Sequence, residues 1–83
     1  MPILTLYTKP DCSLCDEAAE ALERVRGRAP FDLEVVDISS DPELRERYGE
    51  RIPVVLVDGK PAFEYVVDEA ALEHRLSTAG ARS

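Results

Sequence analysis

An α/β domain of order βαβαββα, with a four-stranded mixed sheet flanked by three helices, is the fold predicted by three features of this chain. Short apolar runs rich in strand-forming residues recur at Ile3 to Thr8 and Pro53 to Val57. Segments of helical periodicity lie between the strand signals, which calls for crossover connections. Asp58-Gly59, the strongest two-residue hairpin signal in the chain, adds a final antiparallel strand and makes the sheet mixed. At 83 residues the chain forms one domain over 1–83, near the lower limit for a self-sufficient core, with 78–83 expected as a loose tail.

The first strand, Ile3 to Thr8, is apolar on both faces and is expected to be covered by helices on both sides. Leu14, Ala18, Leu22 and Val25 then recur at helical spacing up to about Arg26, with Glu17, Glu20, Glu23 and Arg24 largely on the other side. Gly27 and Pro30 end that helix. Phe31-Asp32-Leu33-Glu34-Val35 alternates, as a strand near an edge with one wetter face does. The next helix starts in one of two ways. Either Ser40 and Glu43 form a capping box, or Asp41 caps with Pro42 in the first helical position. It runs to about Tyr48 and stops at Gly49.

Pro53 to Val57 is a continuous β-branched run and is predicted to be central in the sheet. Ala62 to Val66 returns antiparallel, and Asp68 caps a last helix that buries Leu72 and Leu76. The pattern predicts two parallel crossovers followed by a terminal hairpin.

Apolar residues make up 45% of the chain, enough for one small core and against disorder. No run approaches the ~20 apolar residues of a membrane span. The N-terminus has neither the basic start nor the long apolar run of a signal peptide, so a cytoplasmic location is expected. A formal net charge of −7 argues against nucleic acid as a partner.

Cys12 and Cys15 are the only cysteines, and they sit where the first strand hands over to the first helix. A dithiol on the first turn of a helix meets the positive end of the helix dipole and unpaired backbone N–H groups, both of which favour thiolate over thiol. In a reducing compartment such a pair is catalytic or metal-binding more often than a structural staple. Two intervening residues set both sulfurs on one helical turn, close enough to bridge, with one facing solvent. The adjacent Asp11, Asp16 and Glu17 suit a helix start and also oppose a nearby thiolate.

The segments Lys9-Pro10-Asp11-Cys12-Ser13-Leu14-Cys15 and Arg51-Ile52-Pro53-Val54-Val55, in this strand and helix order, resemble the glutaredoxin family of the thioredoxin superfamily. The likeness is to small glutaredoxin-like domains and extends over about residues 3 to 77, through Leu6-Tyr7, Cys12, Leu14-Cys15-Asp16, Val36-Asp37-Ile38, Arg47-Tyr48-Gly49 and Ile52-Pro53-Val54. The resemblance implies a thioredoxin/glutaredoxin-like fold and a thiol–disulfide oxidoreductase. Cys12 would be the nucleophile and Cys15 the resolving thiol. It also implies a cis Ile52–Pro53 bond that turns the Ile52 backbone toward Cys12, where it can pair with a bound peptide like an added strand.

By the same resemblance Lys9, Arg51, Ile52, Pro53 and Asp68 would contact substrate. The Gly-Gly turn with which glutaredoxins hold glutathione is replaced by Phe63 and Glu64, so the glutathione site looks incomplete. No bound organic cofactor is required and no metal site is assigned. The expected partners are a disulfide-containing protein or a glutathione mixed disulfide, with glutathione or a thioredoxin-type system as reductant, and the chain is expected as a monomer. Two other classes stay open: zinc or an iron–sulfur cluster held by Cys12 and Cys15 in a dimer, and a thioredoxin-like interaction domain. Tyr7, Tyr48, Phe63 and Tyr65 read as core or rim packing, although Tyr7 is placed to line a peptide groove, and His74 reads as a surface residue.

Overall fold

The computed structural model describes the backbone of residues 2–81 and side chains through residue 77. Its elements are β1 (Ile3–Thr8), α1 (Ser13–Arg26), β2 (Asp32–Asp37), a 3₁₀ turn (Ile38–Ser40), α2 (Pro42–Tyr48), β3 (Val54–Val57), β4 (Lys60–Glu64) and α3 (Glu69–Ala81). The four strands form one sheet in the order β2-β1-β3-β4. Of the expected tail over 78–83, the backbone to Ala81 continues α3, and the rest lies outside the described residues.

Only the first crossover is parallel, which corrects the expectation of two. β1 and β2 run parallel, whereas β3 lies antiparallel to β1. The reason is the length of α2. Its seven residues advance roughly 10 Å at 1.5 Å per residue. The six residues of β2 span roughly 20 Å at 3.3 Å each. The helix alone covers about half of the return that a parallel crossover needs, and the chain does not complete it. β3 therefore starts beside the end of β1, with Val54 opposite Tyr7.

Local chemistry sets the remaining boundaries. Asp41 is the cap of α2: its Oδ1 accepts from the N–H groups of Glu43 and Leu44 at 3.0 and 3.2 Å, and Pro42 occupies the first turn. In the hairpin, Val57 faces Lys60 across Asp58 and Gly59, both at positive φ (50° and 84°), as a primed two-residue turn requires. β4 begins and ends two residues earlier than the sequence suggests. It stops at Glu64 because Tyr65 turns to φ 66°, and Val66 is left 69% exposed. At the start of α3 the Asp68 carboxylate accepts from the Ala71 N–H at 3.1 Å.

The core has two halves, one on each face of the sheet. Leu4 and Leu6 of β1 and Val55 and Val57 of β3 pack under Ala18, Leu22 and Val25 of α1 and Leu72 and Leu76 of α3. Full burial of each large side chain is worth roughly 1.5–3 kcal/mol. On the opposite face, Val54, Leu56, Ile38, Ile52 and Cys15 meet Tyr7, Leu44 and Tyr48. The single short helix α2 covers that face incompletely, so Thr5 and Tyr7 remain half-exposed and β1 is not enclosed on both sides as its sequence suggests. β2, on the edge, is the wettest strand, and its Val35 is exposed.

Candidate functional site

The dithiol stands where β1 turns into α1. Asp11, exposed and at φ 57°, takes the left-handed conformation that a short polar side chain tolerates, and it aims the chain into the helix. Cys12 is the N-cap of α1, with extended backbone angles of −115° and 104°. Its carbonyl accepts the first helical hydrogen bond from the Asp16 N–H at 3.2 Å. Its sulfur fills the role usually taken by a serine or aspartate oxygen: Cys12 Sγ accepts from the Cys15 N–H at 3.2 Å. A hydrogen bond of this kind strengthens when the acceptor is charged.

The two cysteines sit in different surroundings. Cys12 is half-buried at the rim, whereas Cys15 is 2% exposed and packs with Ile38, Ile52 and Val54. Their sulfurs are paired as a disulfide, across a Cα separation of 5.2 Å that lies in the ordinary range for one.

Tyr7 and Tyr48, with ring centroids 5.0 Å apart and tilted at 45°, pack against the same cluster beside Cys12. Ile52 joins it from the loop before β3 and is 7% exposed. The Ile52–Pro53 bond is cis. Both ladders of β3 end at Val54, opposite Tyr7 and Glu64, so the Ile52 backbone lies beyond the sheet register. Pro53 is buried, and its carbonyl accepts from the Tyr65 N–H at 2.8 Å.

The other residues singled out from the sequence are more scattered. Lys9 is exposed, and its carbonyl accepts from the Thr8 hydroxyl at 3.5 Å. Arg51 is exposed beside Arg45, Glu46, Arg47, Glu50 and Tyr65 around an open cavity of about 560 Å³. The Asp68 carboxylate is engaged at the start of α3. Phe63 packs on the core under α1 and α3, and the Glu64 side chain is exposed at the end of β4. Among the described residues no group of three or more His, Cys, Asp or Glu side chains is placed to hold a metal.

Two features escaped the sequence. Tyr65, read there as packing, is half-exposed and anchored: its hydroxyl donates to the Glu50 carbonyl at 3.0 Å. Arg45 and Arg47 share a cavity with Arg51.

Beyond the site, Glu69 at the start of α3 accepts from Arg24 and Arg28. The Arg24 hydrogen bond is the main cause holding the Glu69 carboxyl below its usual range. Asp37 is lowered in the same direction, chiefly by the Ser39 hydroxyl and then by the Ser39 N–H.

The sequence profile of the family described as glutaredoxin-like domain (DUF836) matches residues 3–77. An uncharacterized protein of Mycobacterium tuberculosis is 36% identical over 87 residues, which covers 99% of this chain and 86% of that protein. A structural-genomics target from X. campestris, solved by X-ray crystallography, superposes with a TM-score of 0.76 at 35% identity over 90% of this chain and 96% of its own. A thioredoxin mutant from Halobacterium salinarum shares the fold at a TM-score of 0.67 and 22% identity, over 93% of this chain and 73% of its own.

Proposed function

As a chain that belongs to the glutaredoxin-like family, this protein is one that we propose acts as a thiol–disulfide oxidoreductase, with Cys12 as nucleophile and Cys15 as resolving thiol. The observation that carries this reading is the difference between the two sulfurs. Cys12 is at the rim, capping a helix and accepting a backbone N–H, while Cys15 is buried directly behind it.

The chemistry follows from that placement. In the reduced protein the Cys12 thiolate attacks one sulfur of a substrate disulfide. A bond forms between Cys12 Sγ and that sulfur, and the other substrate sulfur leaves as a thiolate. Cys15, as thiolate, then attacks Cys12 Sγ. The Cys12–Cys15 disulfide forms, and the second substrate sulfur leaves and takes up a proton. The substrate gains two electrons and the dithiol loses two. A second thiol system, either glutathione or a thioredoxin-type dithiol, returns them, and no bound organic cofactor is needed.

The substrates proposed are protein disulfides or glutathione mixed disulfides. Two features favour the protein. The Ile52 backbone lies outside the sheet register and can pair with an extended substrate strand. Phe63 and Glu64 stand where glutaredoxins have the Gly-Gly turn that admits glutathione. In this reading Lys9, Arg51, Ile52, Pro53 and Asp68 border the substrate, with Lys9 and Arg51 available for its carboxylates. The cytoplasm, where thiols are kept reduced, is the compartment in which such a dithiol cycles, and a monomer suffices for every step.

The test is trapping. A Cys15→Ser variant should accumulate mixed disulfides through Cys12, identified by mass spectrometry after non-reducing separation. A Cys12→Ser variant should accumulate none. Equal trapping by both variants, or by neither, counts against the assignment.

A further inference from the structure

Tyr65 is the wall common to two cavities. On one side a groove of about 220 Å³ runs between α1 and the segment leading into α3, where Glu17, Arg24 and Glu69 line it and its apolar part is built on Leu14, Tyr65 and Val66. These three are among the large apolar side chains most exposed to water, at 44%, 48% and 69%. On the other side lies the cavity with Arg45, Arg47 and Arg51. None of these three arginines makes an ion pair among the described residues, whereas Arg24, Arg26 and Arg28 of α1 and its following turn all do. Arg45 and Arg47 suit the C-terminal turn of α2, but that does not account for Arg51, which lies beyond it. Glu46 and Glu50 also line this cavity, which leaves one guanidinium in excess in a chain of net charge −7.

Tyr65 is fixed between the two. A left-handed φ is costly for a bulky residue, and it is held here by the Tyr65 N–H donating to Pro53 O and the hydroxyl donating to Glu50 O. Cys12 is linked to both: Leu14 of the groove follows it by two residues, and Tyr48, which borders Arg47 and Arg51, packs on the same buried cluster as Cys12.

We propose that the groove and the arginine cavity meeting at Tyr65 form one recognition surface for an extended segment of a partner protein, an apolar side chain of which enters the groove while an acidic side chain is held by Arg45, Arg47 and Arg51, presenting the partner's disulfide to Cys12. The proposal rests on the oxidoreductase reading and narrows it to a substrate class. Exposed apolar side chains and unspent guanidinium groups are both features that a partner of complementary chemistry completes.

The test uses the Cys15→Ser protein, which stops after the first exchange. The probes are peptides carrying one cysteine as a mixed disulfide with thionitrobenzoate, flanked by leucine and either glutamate or lysine. Cys12 thiolate attacks the peptide sulfur, Cys12–S–S–peptide forms, and thionitrobenzoate leaves as a coloured thiolate. Because the leaving group is common, the ratio of the two rates reports the flanking charge and is insensitive to a general loss of activity. The glutamate peptide should react about tenfold faster than the lysine peptide. That ratio should fall to one or invert in an Arg45→Glu/Arg47→Glu variant. Exchanging leucine for glycine should slow the peptide, and Tyr65→Ala should erase that difference.

Equal rates, or a preference for lysine, overturn the proposal. So does an arginine dependence seen only with the glutathione–thionitrobenzoate disulfide, which would assign the cavity to a small anion. Failure of the protein to react even with uncharged hydroxyethyl disulfide would instead remove the oxidoreductase reading beneath it.

Discussion

Glu69, at the first position of α3, reaches across to Arg24 in the last turn of α1 and accepts from its guanidinium at 3.0 Å. Arg28 holds the same carboxylate at 3.1 Å and passes on to Glu73 at 3.2 Å, so one chain of charges ties the terminal helix to the helix that carries the dithiol. Pairs this exposed are screened by solvent and salt, and their value lies in being a network rather than in any single bond.

The first prediction concerns that network and acid. The Arg24 hydrogen bond, and then its charge, hold the Glu69 carboxyl below its ordinary range in the folded state. A group lowered on folding contributes stability above its unfolded pKa and loses that contribution as the pH falls through its folded value. Glu69→Gln should therefore lower the urea midpoint at neutral pH. The gap to the parent should close as the pH descends through the acid range, where Glu69 itself becomes protonated. A gap of constant size would mean that the carboxylate charge is irrelevant.

Leu72 offers a core measurement on the same helix. It is fully buried between α3 and the sheet, among Leu4, Leu22 and Val55. Truncation to alanine removes its burial and leaves a cavity, which should cost 2–5 kcal/mol, read as a drop in urea midpoint at unchanged slope. A change below about 1 kcal/mol would show that α3 does not contribute to the global unfolding unit.

What the sequence made legible was local. Asp58-Gly59 demands positive φ and obtains it, Asp41-Pro42 is a helix start by its own chemistry, and Cys12 before a helical periodicity is a capped dithiol wherever the helix packs. What it left illegible depends on distances the chain does not state. β3 runs antiparallel to β1 after a short α2, and both parallel and antiparallel entry satisfy the apolar pattern of Val54 to Val57. Ala62 to Val66 holds three strong strand formers in Phe63, Tyr65 and Val66, yet the strand ends at Glu64 because Tyr65 bonds to Pro53 and Glu50, partners 12 and 15 residues away. The candidate site was legible in its sulfurs for the same local reason. It was illegible in its arginines, whose common cavity is made by tertiary structure.

The floor of the site should respond to a cap far from the sulfurs. Asp41 holds the first turn of α2 through two hydrogen bonds, and α2 brings Leu44 and Tyr48 against Cys12 and Ile52. Asp41→Ala should cost about 1 kcal/mol in global stability. It should also hasten alkylation of Cys15 in the reduced protein, because the cluster that buries that thiol loosens first. Alkylation of Cys15 at the parent rate would show that α1 and the sheet bury it unaided.

The last prediction addresses which disulfides the site accepts. Glu64 lies directly opposite Val54 in the ladder, at the end of β4 and next to Tyr65, which bonds to Pro53. Its side chain is exposed, and in the proposed reading it stands where the resemblance to glutaredoxins puts the turn that admits glutathione. In that reading a carboxylate there would face the carboxylates of glutathione, and like charges at close range disfavour binding. Glu64→Gln should lower KM for a glutathione mixed disulfide by about threefold to tenfold while leaving kcat unchanged, since the chemistry resides at Cys12. The gain should shrink in high salt. An unchanged KM would show that the ligand passes this carboxylate at a distance. The bar to glutathione would then lie with the Phe63 side chain, where the glutaredoxin turn has none.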